Sequence, residues 1–514
     1  MIATNIRRLS VYLVLAFASV SGALTWWQLL DAQRLASRPD NPQVIAAHRS
    51  LPRGSIFDAQ GQLLASSEVI DGVSSRTYTD PAFTHVIGYA SLRFGATAVE
   101  RAWDDLLTGQ TDPNPLRDLL NDILARQPDP HDLTLTIDRR LQDFAAAQLG
   151  SNIGAVVAID PRSGAILAMV SSPTYNASGF SGNPDTAQAA FDAVAGGEGN
   201  PFLDRGRQGH YVPGSIMKVL TASAALDSGA ITPETTFPDQ PQQEVDGFVV
   251  SGFTIREHDL GSLQPALWPL SEALQVSSNI FFAHVGLEVG ASRYLDYARR
   301  FGLCAGLRIG SDERGLPVDV SYVSAKTGTG CAPFVDDVDL ASASFGQGQV
   351  SVTPLQMAIL AATVANDGVV PHPYVVRDLR IHATSPGGGP SGTVLESYGR
   401  AGGNRAISSR AAGEIRSAMV DAVEGPLGRR YAGAGAVSRY GISGTQTAGK
   451  TGTAERGPGL APHSWFIGFS PGQDGSVPTI AIAVIVEGGG TGSGHAAPIG
   501  GRVMAEWLRL AAGG

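Results

Sequence analysis

The stretch Pro213-Gly214-Ser215-Ile216-Met217-Lys218 places a hydroxyl and an amine three residues apart at the start of a helix-forming segment. That spacing puts both side chains on one helical face, one turn apart. Ser215 then sits at a helix N-terminus, where backbone N–H groups and the helix dipole favour developing negative charge. A lysine held neutral by burial can take the serine proton, so Ser215 and Lys218 read as a nucleophile and its base. Alone, S-x-x-K is also what an ordinary exposed helix turn looks like. Composition sharpens it: among 37 basic residues only Lys218, Lys326 and Lys450 are lysine, the rest being arginine. Lysine is normally a common residue, and it can give up its proton where arginine stays charged.

A second element, Ser277-Ser278-Asn279, offers a hydroxyl to relay a proton to a leaving group and an amide to hold a substrate amide. On its own this tripeptide is an ordinary turn. The third element is Lys450-Thr451-Gly452-Thr453, which leads to the aromatic, strand-like run Ser464-Trp465-Phe466-Ile467-Gly468-Phe469. On a strand edge, Gly452 lets a substrate backbone approach and the Thr453 N–H can donate to an oxyanion. Lys450 adds positive charge for a carboxylate. Lys326-Thr327-Gly328-Thr329 is a near copy, but it runs into Gly330-Cys331-Ala332-Pro333 without a strand pattern and reads as loop.

These residues need a scaffold, and the chain supplies one in chain-distant pieces. Asp138 is a candidate N-cap for a helix running to Leu149. Ala155–Ile159 and Ala165–Val170 alternate with a turn at Asp160-Pro161-Arg162-Ser163-Gly164, predicting an antiparallel hairpin. Ser215–Asp227, closed by Gly229, and Leu270–Val289 read as helices. Residues 382–404, rich in Gly, Ser and Pro, read as a surface excursion. Ser464–Phe469 and Thr479–Val486 read as strands, and Met504–Ala511 as a closing helix. One sheet assembled from both ends, with helices between, is the expectation.

The N-terminus carries a topological signal. Leu9–Leu30 contains no charged residue and follows Arg7-Arg8. As a helix it spans roughly 33 Å, enough for a bilayer core. The arginines place the N-terminus in the cytoplasm, and Trp26-Trp27 fall where an aromatic belt lies. A cleaved leader with Ser21-Gly22-Ala23 as its site is the rival; the apolar run continuing to Leu30 favours an uncleaved anchor. The expected division is a cytoplasmic tail at 1–8, an anchor at 9–30, a polar linker and first extracytoplasmic unit at 31–140, and a catalytic unit at 141–514. Cys304 and Cys331 then lie outside the cytoplasm, where disulfides persist. Sequence alone leaves both a bridge and two free thiols open.

Bulk properties narrow the classes further. With 514 residues and 43% apolar content the chain can build a large core, while a net charge of −10 speaks against a nucleic-acid partner. Neither a Walker-type loop nor HExxH is present, so no nucleotide, metal or other cofactor is expected.

The ordered set S-x-x-K, S-x-N, K-T-G is shared by β-lactamases and penicillin-binding proteins, and here it resembles the penicillin-binding transpeptidases. The context is similar to class B, monofunctional members. Arg53-Gly54-Ser55-Ile56-Phe57-Asp58 resembles their N-terminal signature, and Gly95 to Gly109, with Glu100, Trp103, Asp104 and Leu107, their pedestal motif. Leu135-Thr136-Ile137-Asp138, Gly346-Gln347-Gly348 and Thr353-Pro354-Leu355-Gln356 extend the likeness over nearly the whole chain after the anchor. The resemblance implies an α+β fold, a five-stranded antiparallel sheet flanked by helices, with a small pedestal and a transmembrane helix. It implies D,D-transpeptidation of peptidoglycan stem peptides ending in D-Ala-D-Ala through a serine acyl-enzyme, and acylation by β-lactams. Ser215 would be the nucleophile, Lys218 its base, Ser277 a proton shuttle and Asn279 a substrate clamp. Lys450, Thr451, Gly452 and Thr453 would frame the substrate and the oxyanion.

Two rivals bear on that implication. Glu313-Arg314-Gly315-Leu316-Pro317 is similar to the E-x-x-L-N element of class A β-lactamases, but Pro317 replaces its asparagine. A non-catalytic scaffold or β-lactam sensor is disfavoured by three intact motifs. No glycosyltransferase-like glutamate motif precedes the catalytic unit, so a polytopic membrane glycosyltransferase is the expected partner.

Overall fold

The computed structural model describes residues 2–27, 52–70, 73–124, 129–181, 183–258, 260–328, 330–383, 389–399, 402–471 and 477–513. The expected linker over 31–50, the last three residues of the expected anchor and Thr329 lie outside these residues.

The catalytic region is built on a five-stranded sheet in the order Ala448–Ala454, His463–Ser470, Ile480–Val486, Gly154–Ile159, Ile166–Ser172. Every neighbouring pair is antiparallel. The predicted hairpin forms because the Asp160 carboxylate accepts from Arg162 N and Ser163 Oγ, and Gly164 takes a left-handed φ of 80°. Side chains alternate across the strands, so each face packs its own core. On one face Val156, Phe466 and Ile482 meet Leu141 and Ala145 of helix Arg139–Leu149 and Val503 of helix Ala496–Ala512. On the other, Val157, Ile467 and Ile485 join the larger core that holds helices Lys218–Ser228 and Pro354–Ala365. Burial on both faces explains why Ile480–Val486 is apolar at every position. Each fully buried Ile or Phe contributes roughly 1.5–3 kcal/mol.

The predicted helix Leu270–Val289 is in fact two, Leu270–Val276 and Asn279–Val289. Ser277 breaks it with a φ of 62°, a left-handed conformation unusual outside glycine. The closing helix also starts earlier than expected, at Ala496.

A second sheet of six strands runs in the order Val394–Ser397, Val376–Ile381, His131–Leu135, Ile56–Phe57, Leu63–Ile70, Val73–Tyr78. Residues 382–404 are therefore not simply a surface excursion, since Val394–Ser397 forms an edge of this sheet. Ions cement the unit. Glu100, fully buried, receives Arg53 at 2.8 Å and Arg76 at 2.7 Å, and Tyr78 Oη donates to it at 3.2 Å. Arg53 also reaches Asp104. Gly54 is required because a Cβ there would fall 1.8 Å from His131 O.

Helix Ile2–Thr25 is the one helix among the described residues long and apolar enough to cross a membrane. It begins seven residues before the expected span and includes Arg7 and Arg8. Cys304 and Cys331 are joined as a disulfide, Cα to Cα 5.1 Å.

Candidate active site

Ser215 lies in a 3₁₀ turn, Gly214–Met217, that runs directly into helix Lys218–Ser228. The turn is held from several sides. Gly214 N donates to Gly346 O at 2.9 Å, and Trp465 Nε1 donates to Val212 O at 3.0 Å. A Cβ on Gly346 would stand 1.9 Å from Gly214 O, which accounts for the first glycine of Gly346-Gln347-Gly348. The Lys450-Thr451-Gly452-Thr453 strand runs against the same turn. A Cβ on Gly452 would meet Pro213 O at 2.7 Å, and one on Gly214 would meet Thr453 O at 2.8 Å. Thr451 and Gly452 are buried and Thr453 is exposed, so the strand presents Thr453 at the cleft rim.

The helix break brings the second motif in. Ser277 caps helix Leu270–Val276, and Ser278 caps the next helix by accepting from Phe281 N at 3.1 Å. Three chain-distant segments then meet at two buried amines. Lys218 Nζ lies 3.0 Å from Ser215 Oγ, 2.8 Å from Asn279 Oδ1, 2.5 Å from Ser277 O and 3.3 Å from Ser277 Oγ. Lys450 Nζ lies 2.9 Å from the same Ser277 Oγ and 3.1 Å from Thr451 O.

Both amines are buried to 1% exposure or less, and among the described residues neither has a carboxylate within ion-pair reach. Burial lowers Lys218 to about 7, against a smaller upward pull from Glu257. Burial lowers Lys450 well below its ordinary value, and the Lys218 charge pushes the same way. Two ammonium ions facing one hydroxyl repel, so near neutral pH one of the pair gives up its proton. The Ser277 hydroxyl can accept from the amine that keeps its proton and donate to the other. Ser215, Lys218, Ser277 and Lys450 thus form one continuous chain of hydrogen-bond contacts.

Lys326 stands apart. Lys326–Thr327 pairs with Gly330–Cys331 in a short exposed hairpin tied down by the disulfide, where sequence suggested plain loop. Its ammonium sits over the Tyr322 ring at 5.4 Å. Beside Glu313, Arg314 pairs with Asp105 of the six-stranded unit and covers Trp103. Sequence reasoning missed Glu257, whose carboxylate accepts from Ser278 Oγ at 2.6 Å and Asn279 N at 2.7 Å. A lone glutamate twenty residues before the motif carries no spacing signal.

Comparison with known proteins agrees with this geometry. The family model of the penicillin binding protein transpeptidase domain matches residues 154–505, and that of the penicillin binding protein A dimerisation domain matches residues 53–132. Peptidoglycan D,D-transpeptidase PbpA of Mycolicibacterium smegmatis is 34% identical over 526 residues, covering 98% of this chain and 99% of that protein. The MrdA enzyme of Escherichia coli, also a peptidoglycan D,D-transpeptidase, is 26% identical, covering 82% of this chain and 70% of its own. The imipenem acyl-enzyme complex of penicillin-binding protein A from M. tuberculosis superposes with a TM-score of 0.75 at 33% identity, over 90% of this chain and 100% of that one. The two-unit fold, the three motifs meeting at Ser215 and these matches lead to one conclusion: the chain belongs to the penicillin-binding transpeptidases, as a class B member.

Proposed function

We propose that this protein cross-links peptidoglycan stem peptides by acyl transfer through Ser215. The observation that carries the assignment of roles is the pair of buried amines meeting at Ser277 Oγ, one of them 3.0 Å from Ser215 Oγ. Ser215 Oγ attacks the carbonyl carbon of the penultimate D-Ala. Its proton passes to Lys218 and, by way of Ser277, to the nitrogen of the departing D-Ala as the C–N bond breaks. An amine of a second stem then attacks the ester, and its proton returns Ser215 to the hydroxyl form. Asn279 holds the substrate amide, Lys450 and Thr451 orient its carboxylate, and the Ser215 and Thr453 N–H groups hold the oxyanion beside Gly452. β-Lactams imitate the acyl-D-Ala-D-Ala end and acylate the same oxygen. Water in place of the second amine gives a D,D-carboxypeptidase side reaction.

Labelling with a fluorescent penicillin tests the assignment. The intact protein is expected to label stoichiometrically, Ser215→Ala to lose the label, and Ser277→Ala to label more slowly. Label retained in Ser215→Ala would refute it.

Helix Ile2–Thr25 supports a single-pass anchor, with the N-terminus cytoplasmic and both folded units outside. In this reading 31–140 makes the linker and pedestal and 141–514 the transpeptidase unit, with 376–397 lending strands to the pedestal sheet. A polytopic membrane glycosyltransferase supplies the glycan strands. Helix Pro115–Leu124 of the pedestal supports such a partner: Leu116, Leu119, Leu120 and Ile123 all face solvent, a patch of the kind that marks protein contacts. Leu119→Glu with Ile123→Glu is expected to weaken co-purification with the glycosyltransferase and leave penicillin labelling unchanged.

A further inference from the structure

One carboxylate closes the Ser277–Asn279 turn. The short hairpin Phe248–Val250 and Phe253–Ile255 delivers Arg256 and Glu257 to the start of helix Asn279–Val289. Glu257 keeps only 3% of its side chain exposed. Its two oxygens accept from Ser278 Oγ at 2.6 Å, Asn279 N at 2.7 Å, His258 N at 3.0 Å and Ile280 N at 3.2 Å. Arg256 O accepts from Asn279 Nδ2 at 3.4 Å. A buried carboxylate is tolerated only when so fully bonded, and the helix N-terminus adds its own attraction.

We propose that Glu257 is a positioning residue for acyl transfer, one that fixes the Ser277–Asn279 turn and supplies a negative charge toward Lys218. The inference rests on the roles assigned above to Ser215, Lys218 and Ser277. In the S-D-N form of the motif the acid stands in the tripeptide itself. Here Ser278 occupies that place and donates a hydrogen bond to an acid from another segment. The bonds reach the working groups directly: Glu257 holds the Asn279 and Ile280 backbone, and Asn279 Oδ1 in turn meets Lys218 Nζ. Lys218 faces Lys450 from the sheet edge and Glu257 from the hairpin. Glu257 itself faces Glu244 of helix Gln240–Asp246 and the ring of His258, whose Nδ1 is 4.0 Å away. Among these groups Glu257 alone draws the Lys218 amine upward.

The test follows acylation of the full chain by a fluorescent penicillin across pH 5–9 in Glu257→Gln, Glu257→Asp and Ser278→Ala. Removing the charge leaves the neutral amine in place to lower pH. Glu257→Gln is therefore expected to move the acid limb down by about one pH unit and to slow the plateau about tenfold. Glu257→Asp keeps the charge at shorter reach and is expected to keep the limb while slowing the plateau. Ser278→Ala, which leaves the carboxylate, is expected to do the same and serves if Glu257→Gln does not fold. A wild-type limb in Glu257→Gln, or an equally shifted limb in Ser278→Ala, would overturn the proposal. Label surviving in Ser215→Ala would instead bring down the assignment of the site, and this role with it.

Discussion

Acylation of Ser215 should rise with pH through neutrality, because only the neutral amine of Lys218 can take the serine proton. Burial sets that amine at about 7. The neutral fraction is then about 50% at pH 7, about 9% at pH 6 and about 1% at pH 5, so the second-order rate constant falls about fivefold over the first unit and nearly tenfold over the next. The same burial has a cost in stability. Moving a lysine from 10.5 to about 7 corresponds to about 5 kcal/mol against the folded ammonium. Below pH 7 both folded and unfolded chains carry the proton and the whole penalty is present. Between pH 7 and 10.5 the folded chain has released it and the unfolded chain has not, so the penalty shrinks by up to about 1.4 kcal/mol per unit. Lys218→Met, similar in length and uncharged, lacks this contribution. Stopped-flow acylation from pH 5 to 9 and urea unfolding of both proteins from pH 6 to 9 measure the two consequences. The variant should not acylate at any pH, and its stability relative to wild type should decline above pH 7. A wild-type acylation rate that stays flat down to pH 5 would refute the argument, as would a stability difference that ignores pH.

Glu100→Gln leaves Arg53 and Arg76 without their shared buried partner, and breaking such a pair costs about 3–5 kcal/mol. Thermal unfolding followed by tryptophan fluorescence should show the pedestal melting early. Cys304→Ser with Cys331→Ser opens a loop with a sequence separation of 27 and should cost about 3 kcal/mol, read by urea unfolding, with acylation retained. Gly346→Ala puts a methyl 1.9 Å from Gly214 O at a φ of 84°. It should slow acylation at least tenfold while circular dichroism stays near wild type. Lys326→Ala should acylate within about twofold of wild type, since among the described residues its ammonium meets only the Tyr322 ring.

What sequence revealed and what it hid divide along chain distance. Ser215 to Lys218 is a local spacing on one helix turn, and Lys450 to Thr453 a local run on one strand, so both motifs were legible. The hairpin at Asp160–Gly164 was legible because its turn chemistry is local too. The break at Ser277 was not: Leu270–Val289 is apolar enough to read as one helix, and nothing in a serine announces a left-handed φ. Glu257 stayed hidden because its partners come from a helix twenty residues on. The pairing of Val376–Ile381 with His131–Leu135 joins segments more than 240 residues apart, and Arg377, Asp378 and Arg380 mask its strand pattern. The apolar span was seen, while the helix that holds it runs on through Arg7 and Arg8, where a count of uncharged residues stops.

That long-range pairing means the two units are interleaved rather than strung in tandem. His131–Leu135 sits between Ile56–Phe57 and Val376–Ile381, so a fragment ending near residue 140 would leave His131–Leu135 as a bare outer edge of a four-stranded sheet. A fragment beginning there would carry the complementary orphan, Val376–Ile381 with Val394–Ser397. In the full chain that edge is covered only when Val376–Ile381 pairs onto it and Val394–Ser397 follows. Exchange of pedestals between relatives would have to carry both pieces together, which ties the inheritance of the support to that of the catalyst.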